Sequence, residues 1–157
     1  MDTVGRIFEL CKKKGVTLSV CESLTGGLVA ARLIERAGAS EFFYEGITAY
    51  SNDSKIKRLL VNPETLDKFG AVSYETAAEM AEGLYKSGSV GLTVSTTGIA
   101  GPSGGGVEKP VGLTYIGVFD GRQSKAYSFV FGGDRNEIRE KAAKAALDIA
   151  AEALELM

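Results

Sequence analysis

The spacing of apolar residues along the chain predicts an alternation of helices and strands. Apolar side chains that recur every three or four residues indicate helices with one buried face, and short continuous apolar runs indicate buried strands. Gly15 and Gly38 are expected to end the first two helices, and Asn62 with Pro63 the third. Helices are predicted over residues 4–14, 26–37, 54–61, 73–84 and 134–157, and strands over 16–21, 42–51, 89–96, 112–119 and 124–131.

The order of these elements predicts the fold class. Alternating helices and strands that end in a hairpin, here turning at Asp120-Gly121, are typical of an α/β sandwich with a mixed, mostly parallel sheet. The chain contains no linker-like segment and no internal repeat. We therefore expect one domain over residues 1–157. Its last helix is rich in alanine, which favours close packing on the sheet and, as the alternative, a face for self-association.

Composition narrows the classes of partner. The chain has 157 residues, 45% apolar and 24% charged, with a net charge of −2, so it lacks the basic surface expected of a nucleic-acid-binding protein. No apolar run approaches the roughly 20 residues that span a membrane. The only cysteines, Cys11 and Cys21, lie in unrelated contexts, which favours free thiols in a reducing compartment. We expect a cytoplasmic protein that binds neither nucleic acid nor membrane.

The absence of histidine restricts the possible chemistry. With no His in the chain, a Ser-His-Asp triad, a Cys-His pair and nearly all zinc sites are excluded. Any hydrolytic reaction must rely on Ser, Lys, Tyr, Thr or carboxylate side chains. The sequence accordingly indicates no metal site and no cofactor.

The segment VCESLTGG joins the first predicted strand to the second predicted helix. Ser23 and Thr25 are both suitable N-cap residues, and a cap is the more common role of a serine at such a joint. The alternative is that Ser23 is a nucleophile at the carboxyl end of a strand, where open α/β sheets bind ligands. Gly26 and Gly27 allow a close approach of backbone to a ligand, and helix N-termini at Gly26 and Arg135 are candidate anion sites.

A serine nucleophile needs a proton acceptor, and without histidine this requires a neutral lysine nearby or a tyrosine that relays the proton. The segment AYSNDSKIKRLL supplies both candidates. Tyr50 ends the second predicted strand, and Lys55 begins a short helix five residues later. Lysine is usually a solvated surface charge, so as a base Lys55 would need a pKa well below about 10.4. The spacing alone does not establish that either side chain reaches Ser23.

The segment TTGIAGPSGGG follows the third predicted strand directly. Thr97, Gly98 and Gly101 belong to a turn that could aim amides and hydroxyls at an anionic group, whereas residues 103–107 fit a flexible surface loop equally well. No Walker or Rossmann phosphate motif is present.

The segment GGDRNEIRE opens the last predicted helix. Asp134 suits the N-cap, and Arg135 and Arg139 are spaced to lie on one face of the helix. The two arginines could clamp a phosphate or pair with the nearby acids Glu137 and Glu140.

Four separated motifs together resemble the CinA C-terminal domain family. They are ESLTGG, AYSNDSKIKRLL with GAVS, TTGIAGPSGGG followed by EKPVG, and GDRNEIRE, in that order over nearly the whole chain. The chain is most similar to the stand-alone members of the family. Many members carry Cys after the motif serine, whereas this chain has Leu24, so a thiol at that position cannot be the nucleophile here.

The resemblance implies a fold, a reaction and roles for particular residues. The fold is a three-layer α/β/α sandwich with a five-stranded mixed sheet. The reaction is hydrolysis of the carboxamide of nicotinamide mononucleotide to nicotinate mononucleotide and ammonia, without metal or cofactor. Ser23 is implied as the nucleophile or key hydroxyl, with Lys55 and Tyr50 as its activating partners.

The same resemblance implies how the substrate is held. Thr97 and Gly98 would lie against the reacting amide or its oxyanion, and Arg139, with Arg135, would hold the phosphate. From the chemistry alone, backbone amides near Gly26 or Gly98 are candidates for stabilising the oxyanion. We also expect a homo-oligomer. Two other functions stay open at this point, a nucleotide-binding module that does not hydrolyse its ligand and a partner-interaction domain.

Overall fold

The computed structural model describes all residues from 1 to 157. It contains six α-helices, one short 3₁₀ turn and five strands, which alternate through most of the chain. The helices are α1 (Thr3–Lys14), α2 (Leu28–Ile34), α3 (Asn52–Leu59), α4 (Pro63–Phe69), α5 (Tyr74–Ser87) and α6 (Arg135–Leu156), with a 3₁₀ turn at Ala39–Glu41. The strands are β1 (Leu18–Glu22), β2 (Phe43–Thr48), β3 (Leu92–Gly98), β4 (Leu113–Phe119) and β5 (Ser124–Val130).

The five strands form one mixed sheet in the order β2-β1-β3-β4-β5. Strand β1 pairs in parallel with both β2 and β3, whereas β4 is antiparallel to both of its neighbours. Four of the strands therefore run in one direction and only β4 runs against them. The predicted mixed, mostly parallel sheet and the three-layer α/β/α arrangement are confirmed.

Helices cover both faces of the sheet. On one face, α1, α2 and α6 bury a core that includes Ile7, Val29, Leu33 and Leu154 against the apolar side chains of β1, β3 and β4. On the other face, α3, α4 and α5 enclose a smaller core around Leu59, Met80 and Leu84. The alternation of side chains along each strand feeds both cores, since Val20 joins the first and Cys21 the second.

The longest helix, α6, runs along the first face. A capping box holds its start, because the Asp134 carboxylate accepts from the Glu137 N–H and the Glu137 side chain accepts from the Asp134 N–H. Its buried alanines pack in the core, as expected. Further along, Asp148 accepts a hydrogen bond from Thr3 of α1. Neither α6 nor any other helix combines the length and hydrophobicity needed to cross a membrane.

The prediction for α2 was wrong at both ends. It was expected over residues 26–37 but covers only Leu28–Ile34. Gly26 and Gly27 precede it with φ of 57° and 106°, a left-handed backbone that cannot continue a helix. At the other end the chain leaves the helix at Glu35 and turns through Gly38.

Helix α4 and the 3₁₀ turn were not predicted. Asn62 and Pro63 were interpreted as the end of α3, but they begin α4: the Asn62 side chain accepts from the Glu64 N–H, and Pro63 occupies the first turn. Leu60, with a left-handed φ of 59°, is the residue that actually closes α3. The same residue types serve helix ends and helix starts, so the sequence pattern alone did not separate the two.

Candidate active site

The carboxyl ends of three neighbouring strands meet at one edge of the sheet. Strand β1 lies between β2 and β3, and α2 leaves β1 on one face while the helices that follow β2 cover the other. Such a point, where successive connections pass to opposite faces, opens a crevice beside the strand ends in α/β folds. Ser23, Tyr50 and Gly98 lie at or directly after these three ends.

The structure brings the side chains of Ser23 and Lys55 together. Lys55 Nζ lies 3.1 Å from Ser23 Oγ and 2.9 Å from the Tyr50 carbonyl oxygen. Lys55 is located in the first turns of α3, and its side chain is 1% exposed. Ser23 is fixed from the other side, because its N–H donates to the Thr96 carbonyl of β3. A hydroxyl and an amine, 32 residues apart in the chain, are thus within hydrogen-bond distance.

The surroundings of Lys55 favour its neutral form. No carboxylate lies within salt-bridge distance of its amine. Burial lowers the pKa of Lys55 below its ordinary value, since desolvation penalises the charged ammonium. A neutral lysine amine can accept a proton from a neighbouring hydroxyl, which is the requirement for a serine nucleophile in a chain without histidine.

Tyr50 contacts the pair through its backbone and not through its phenol. Its carbonyl accepts from Lys55 Nζ, whereas its hydroxyl lies 3.3 Å from Arg135 Nη2 and its ring is 62% exposed. The suggested proton relay through the phenol therefore has no hydrogen bond to support it in this structure. The ring stands at the mouth of the crevice instead.

The N-terminus of α2 is capped by Glu22, not by Ser23 or Thr25. The two carboxylate oxygens of Glu22 accept from Val29 N (2.9 Å) and Ala30 N (3.1 Å), although Glu22 is 1% exposed. The hydroxyl of Thr25 is paired with that of Thr96. The anion site expected at this helix terminus is therefore occupied by the protein's own carboxylate, which corrects the expectation at Gly26.

The sequence interpretation assigned no role to Glu22, the acid directly before Ser23. The signal was present, since an acid between a buried strand and a short helix with no N-cap side chain is placed to bind that helix's free amides. Because the helix had been expected to begin two residues earlier, Glu22 was not recognised as its cap.

Several backbone N–H groups beside Ser23 carry no hydrogen bond. Those of Leu24, Thr25 and Gly27 have no acceptor, whereas the N–H of Gly26 donates to the Ser23 carbonyl. Gly26, one of the two expected oxyanion donors, is therefore engaged within the loop. The N–H of the residue after a nucleophile is a common oxyanion donor in α/β enzymes, and here that residue is Leu24.

Gly98, the other expected oxyanion donor, lies against Leu24, the residue after Ser23. Ile99 directs both its N–H and its carbonyl to the β4 side, so alternation of the backbone turns the N–H of Gly98 towards β1 and Ser23. A Cβ at residue 98 would lie 2.9 Å from Leu24 Cδ1 and 2.8 Å from the Leu113 carbonyl oxygen. Glycine is required here by the close approach of these groups.

The side chain of Thr97 lies on the face of the sheet that α5 covers. Its hydroxyl donates to the Ala71 carbonyl at 2.7 Å and continues a row in which Thr93 and Ser95 donate to Ala81 and Ala77. These bonds fix β3 against α5 and the turn before it. Thr97 contributes in this structure by holding the strand that carries Gly98.

The two arginines of α6 hold loops at the edge of the crevice. Arg135 is exposed, and its Nη1 donates to the Gly101 carbonyl at 2.7 Å. Arg139 is half-buried and donates from Nε to the Leu24 carbonyl (2.8 Å) and from Nη2 to the Thr25 carbonyl (3.1 Å). Neither pairs with Glu137 or Glu140, the alternative considered from sequence.

A surface groove lies away from the Ser23 crevice. It has a volume of about 720 Å³ between α1, α2 and α6 and includes none of the residues at the Ser23 crevice. Ion pairs such as Arg32–Glu140 and Lys144–Asp148 cross or border it, so its charges are largely matched within the protein. Its size alone does not make it the reactive site.

Comparison with known proteins identifies the class that this fold and crevice define. The model of the CinA C-terminal domain matches residues 2–154. A CinA-like protein of Kosmotoga olearia is 53% identical over 148 residues, which are 94% of this chain and 36% of that protein. The chain belongs to the CinA C-terminal domain family.

Solved structures agree in fold with that assignment. The competence/damage inducible protein CihA from Agrobacterium tumefaciens superimposes with a TM-score of 0.93 at 39% identity, covering 98% of this chain and 93% of that one. A CinA superfamily protein from Klebsiella pneumoniae 700603 gives 0.93 at 28% identity with both chains fully covered. By contrast, the chain spans about a third of the length of the curated relatives it matches.

Proposed function

We propose that the protein is an amidase that hydrolyses the carboxamide of nicotinamide mononucleotide. The observation that carries the proposal is the 3.1 Å contact between Ser23 Oγ and the buried amine of Lys55. Burying the charged form of a lysine without a carboxylate partner is energetically costly. Buried lysines with a lowered pKa are therefore common at functional sites, where the neutral amine takes part in the chemistry. The choice of substrate comes from the family resemblance of the four motifs, and the names of the relatives do not state it.

The reaction begins with acylation of Ser23. Neutral Lys55 Nζ accepts the Ser23 hydroxyl proton as Oγ attacks the carboxamide carbon, and the carbonyl oxygen becomes an oxyanion. The candidate donors to this oxygen are the N–H groups of Leu24 and Thr25, which have no acceptor, and that of Gly98, which is turned towards Ser23. The Lys55 ammonium then gives its proton to the leaving nitrogen, the C–N bond breaks and ammonia departs.

Deacylation repeats the same proton transfers with water. The nicotinoyl ester on Ser23 is attacked by water, whose proton goes to Lys55. Collapse of the second tetrahedral intermediate breaks the bond to Ser23 Oγ, and Lys55 returns the proton to that oxygen. The products are nicotinate mononucleotide and ammonia, and Ser23 and Lys55 regain their starting states.

The remainder of the substrate fits the mouth of the crevice. The exposed ring of Tyr50 offers a flat surface for the pyridinium, because cationic rings are attracted to aromatic faces. Arg135, exposed beside Tyr50 and Gly101, has donors left for the phosphate. We further propose that the protein acts as a homo-oligomer and needs no nucleic acid or membrane.

The first test is release of ammonia from nicotinamide mononucleotide by the purified protein and by Ser23→Ala. We expect the wild type to be active and the variant to be folded but inactive, with an acyl-Ser23 peptide detectable by mass spectrometry after acid quench of the wild type. Ser19→Ala is the matched control, because Ser19 lies on β1, the strand that ends directly before Ser23, and its buried hydroxyl has no partner. Normal turnover by Ser23→Ala would refute the serine mechanism.

A binding module without hydrolysis is the alternative function. It predicts that wild-type protein binds nicotinamide mononucleotide in calorimetry but forms no ammonia over hours. Free nicotinamide, tested in parallel, shows whether the nucleotide portion is required.

A further inference from the structure

Arg139 donates hydrogen bonds to two successive carbonyls of the loop that carries Ser23. Its Nε donates to the Leu24 oxygen and its Nη2 to the Thr25 oxygen, and only Asn136 Oδ1, 3.5 Å from Nη1, offers its guanidinium another acceptor. A Cβ on Gly26 would lie 3.2 Å from Nη2, so glycine at that position leaves room for the guanidinium. The planar fork of arginine suits two neighbouring acceptors.

These two hydrogen bonds fix the direction of two backbone N–H groups. In a trans peptide group the carbonyl and the N–H point in opposite directions. The Leu24 and Thr25 carbonyls face Arg139, so the N–H groups of Thr25 and Gly26 face away from it. Since the Gly26 N–H reaches the Ser23 carbonyl at 3.1 Å, Ser23 lies on that side. The unpaired N–H of Thr25 is therefore turned to the side of Ser23.

From this geometry we infer that Arg139 is a positioning residue that aims the Thr25 N–H at the oxyanion formed on the Ser23 side. The inference rests on the proposed amidase function and assigns Arg139 a role other than the phosphate contact that the family resemblance implies. Glu22 holds the far end of the same loop through the Val29 and Ala30 amides. The segment from Ser23 to Gly27 is thus held by Arg139 at two of its carbonyls and by Glu22 through the amides just after it.

The two roles for Arg139 differ in their kinetic consequences. A phosphate ligand binds the substrate in its ground and transition states alike, so its loss raises KM. A residue that aims an oxyanion donor acts only when charge develops on the oxygen, so its loss lowers kcat. Loss of one aligned oxyanion donor typically costs about 10²–10³-fold in kcat.

The kinetic test compares wild type, Arg139→Lys, Arg139→Ala and Lys144→Ala with nicotinamide mononucleotide. We expect kcat to fall by about 10²-fold in both Arg139 variants with little change in KM, because one ammonium cannot align two carbonyls. Lys144 is an exposed cation on the same helix that pairs with Asp148, and its replacement should leave both constants unchanged. A rise in KM with unchanged kcat in the Arg139 variants would overturn the inference.

A second measurement does not depend on the substrate. The Gly26 and Leu28 amides are hydrogen-bonded within the loop, to the Ser23 and Thr25 carbonyls. We expect their hydrogen exchange, followed by NMR, to become at least tenfold faster in Arg139→Lys and to be unchanged in Lys144→Ala. Unchanged exchange would overturn the inference. If the wild type releases no ammonia, the proposed function fails, and exchange still decides whether Arg139 orders the loop.

Discussion

Replacement of Lys55 by methionine separates a catalytic lysine from a structural one. Methionine keeps an unbranched side chain of similar length but has no amine. If Lys55 is the proton acceptor for Ser23, loss of this base should lower kcat by about 10²–10⁴-fold. This corresponds to roughly 3–6 kcal/mol of transition-state stabilisation at about 1.4 kcal/mol per factor of ten.

The expected change in stability is small because two opposing terms nearly cancel. At a pH below the folded pKa of Lys55, where the amine is charged, the variant lacks the hydrogen bonds to the Tyr50 carbonyl and to Ser23 Oγ, each worth about 1.5–3 kcal/mol. It also removes the cost of burying an amine without a carboxylate partner, which is several kcal/mol. We expect a net change within about 2 kcal/mol, or a Tm shift of no more than about 8 °C for a domain of this size.

The assay measures ammonia release and thermal unfolding on the same preparations. Lys57→Met is the matched control, since Lys57 lies on the same helix, is exposed and pairs only with Asp53. A second variant, Lys55→Arg, keeps the cation but cannot give up its proton near neutral pH, so it should also be inactive. If folded Lys55→Met keeps more than about a tenth of the wild-type kcat, Lys55 is not the base and the reasoning from its burial is wrong.

Three further predictions concern the pH dependence of activity, the pH dependence of stability and the packing of α5. As pH rises, kcat/KM should increase while Lys55 loses its proton, with the midpoint below the usual lysine value of about 10.4. Because the folded pKa is the lower one, the unfolded state binds more protons between the two values. The stability of wild type relative to Lys55→Met should therefore be lowest below the folded pKa and should rise as pH approaches about 10. A stability difference that does not vary with pH would argue against a lowered pKa. Separately, Gly83→Ala should destabilise the fold by about 3 kcal/mol and lower Tm by roughly 6–12 °C, because the added Cβ would overlap the Leu59 carbonyl. Gly132→Ala is the control, since a Cβ at that position meets nothing within 4 Å, and it should leave Tm unchanged. Equal Tm values for the two variants would contradict the packing.

The fold was accessible from the sequence because local signals and the global arrangement agree. Strand β4 appears as a largely apolar run, LTYIGVF, and Ser73 and Asp134 are strong helix starts that the structure retains. The errors fall where one residue type serves two purposes. Asn62 and Pro63 suit either end of a helix, and Gly26 and Gly27 permit either a helix start or a left-handed turn.

The site was only partly accessible, for a different reason. Motif residues could be named, but the spacing along the chain does not reveal which atom of a residue faces its neighbour. Tyr50 reaches Lys55 through its carbonyl, and Arg139 reaches the Ser23 loop through backbone oxygens. Such contacts leave no side-chain signature in a sequence, because the backbone of every residue offers the same carbonyl whatever its side chain is.

The contact between Thr3 and Asp148 has a consequence for how this domain combines with others. Asp148 lies about 20 Å along α6 from Arg135, at roughly 1.5 Å per residue, so the start of the chain emerges well away from the crevice. A segment attached ahead of α1 would therefore join the domain about 20 Å along α6 from the end that borders the crevice.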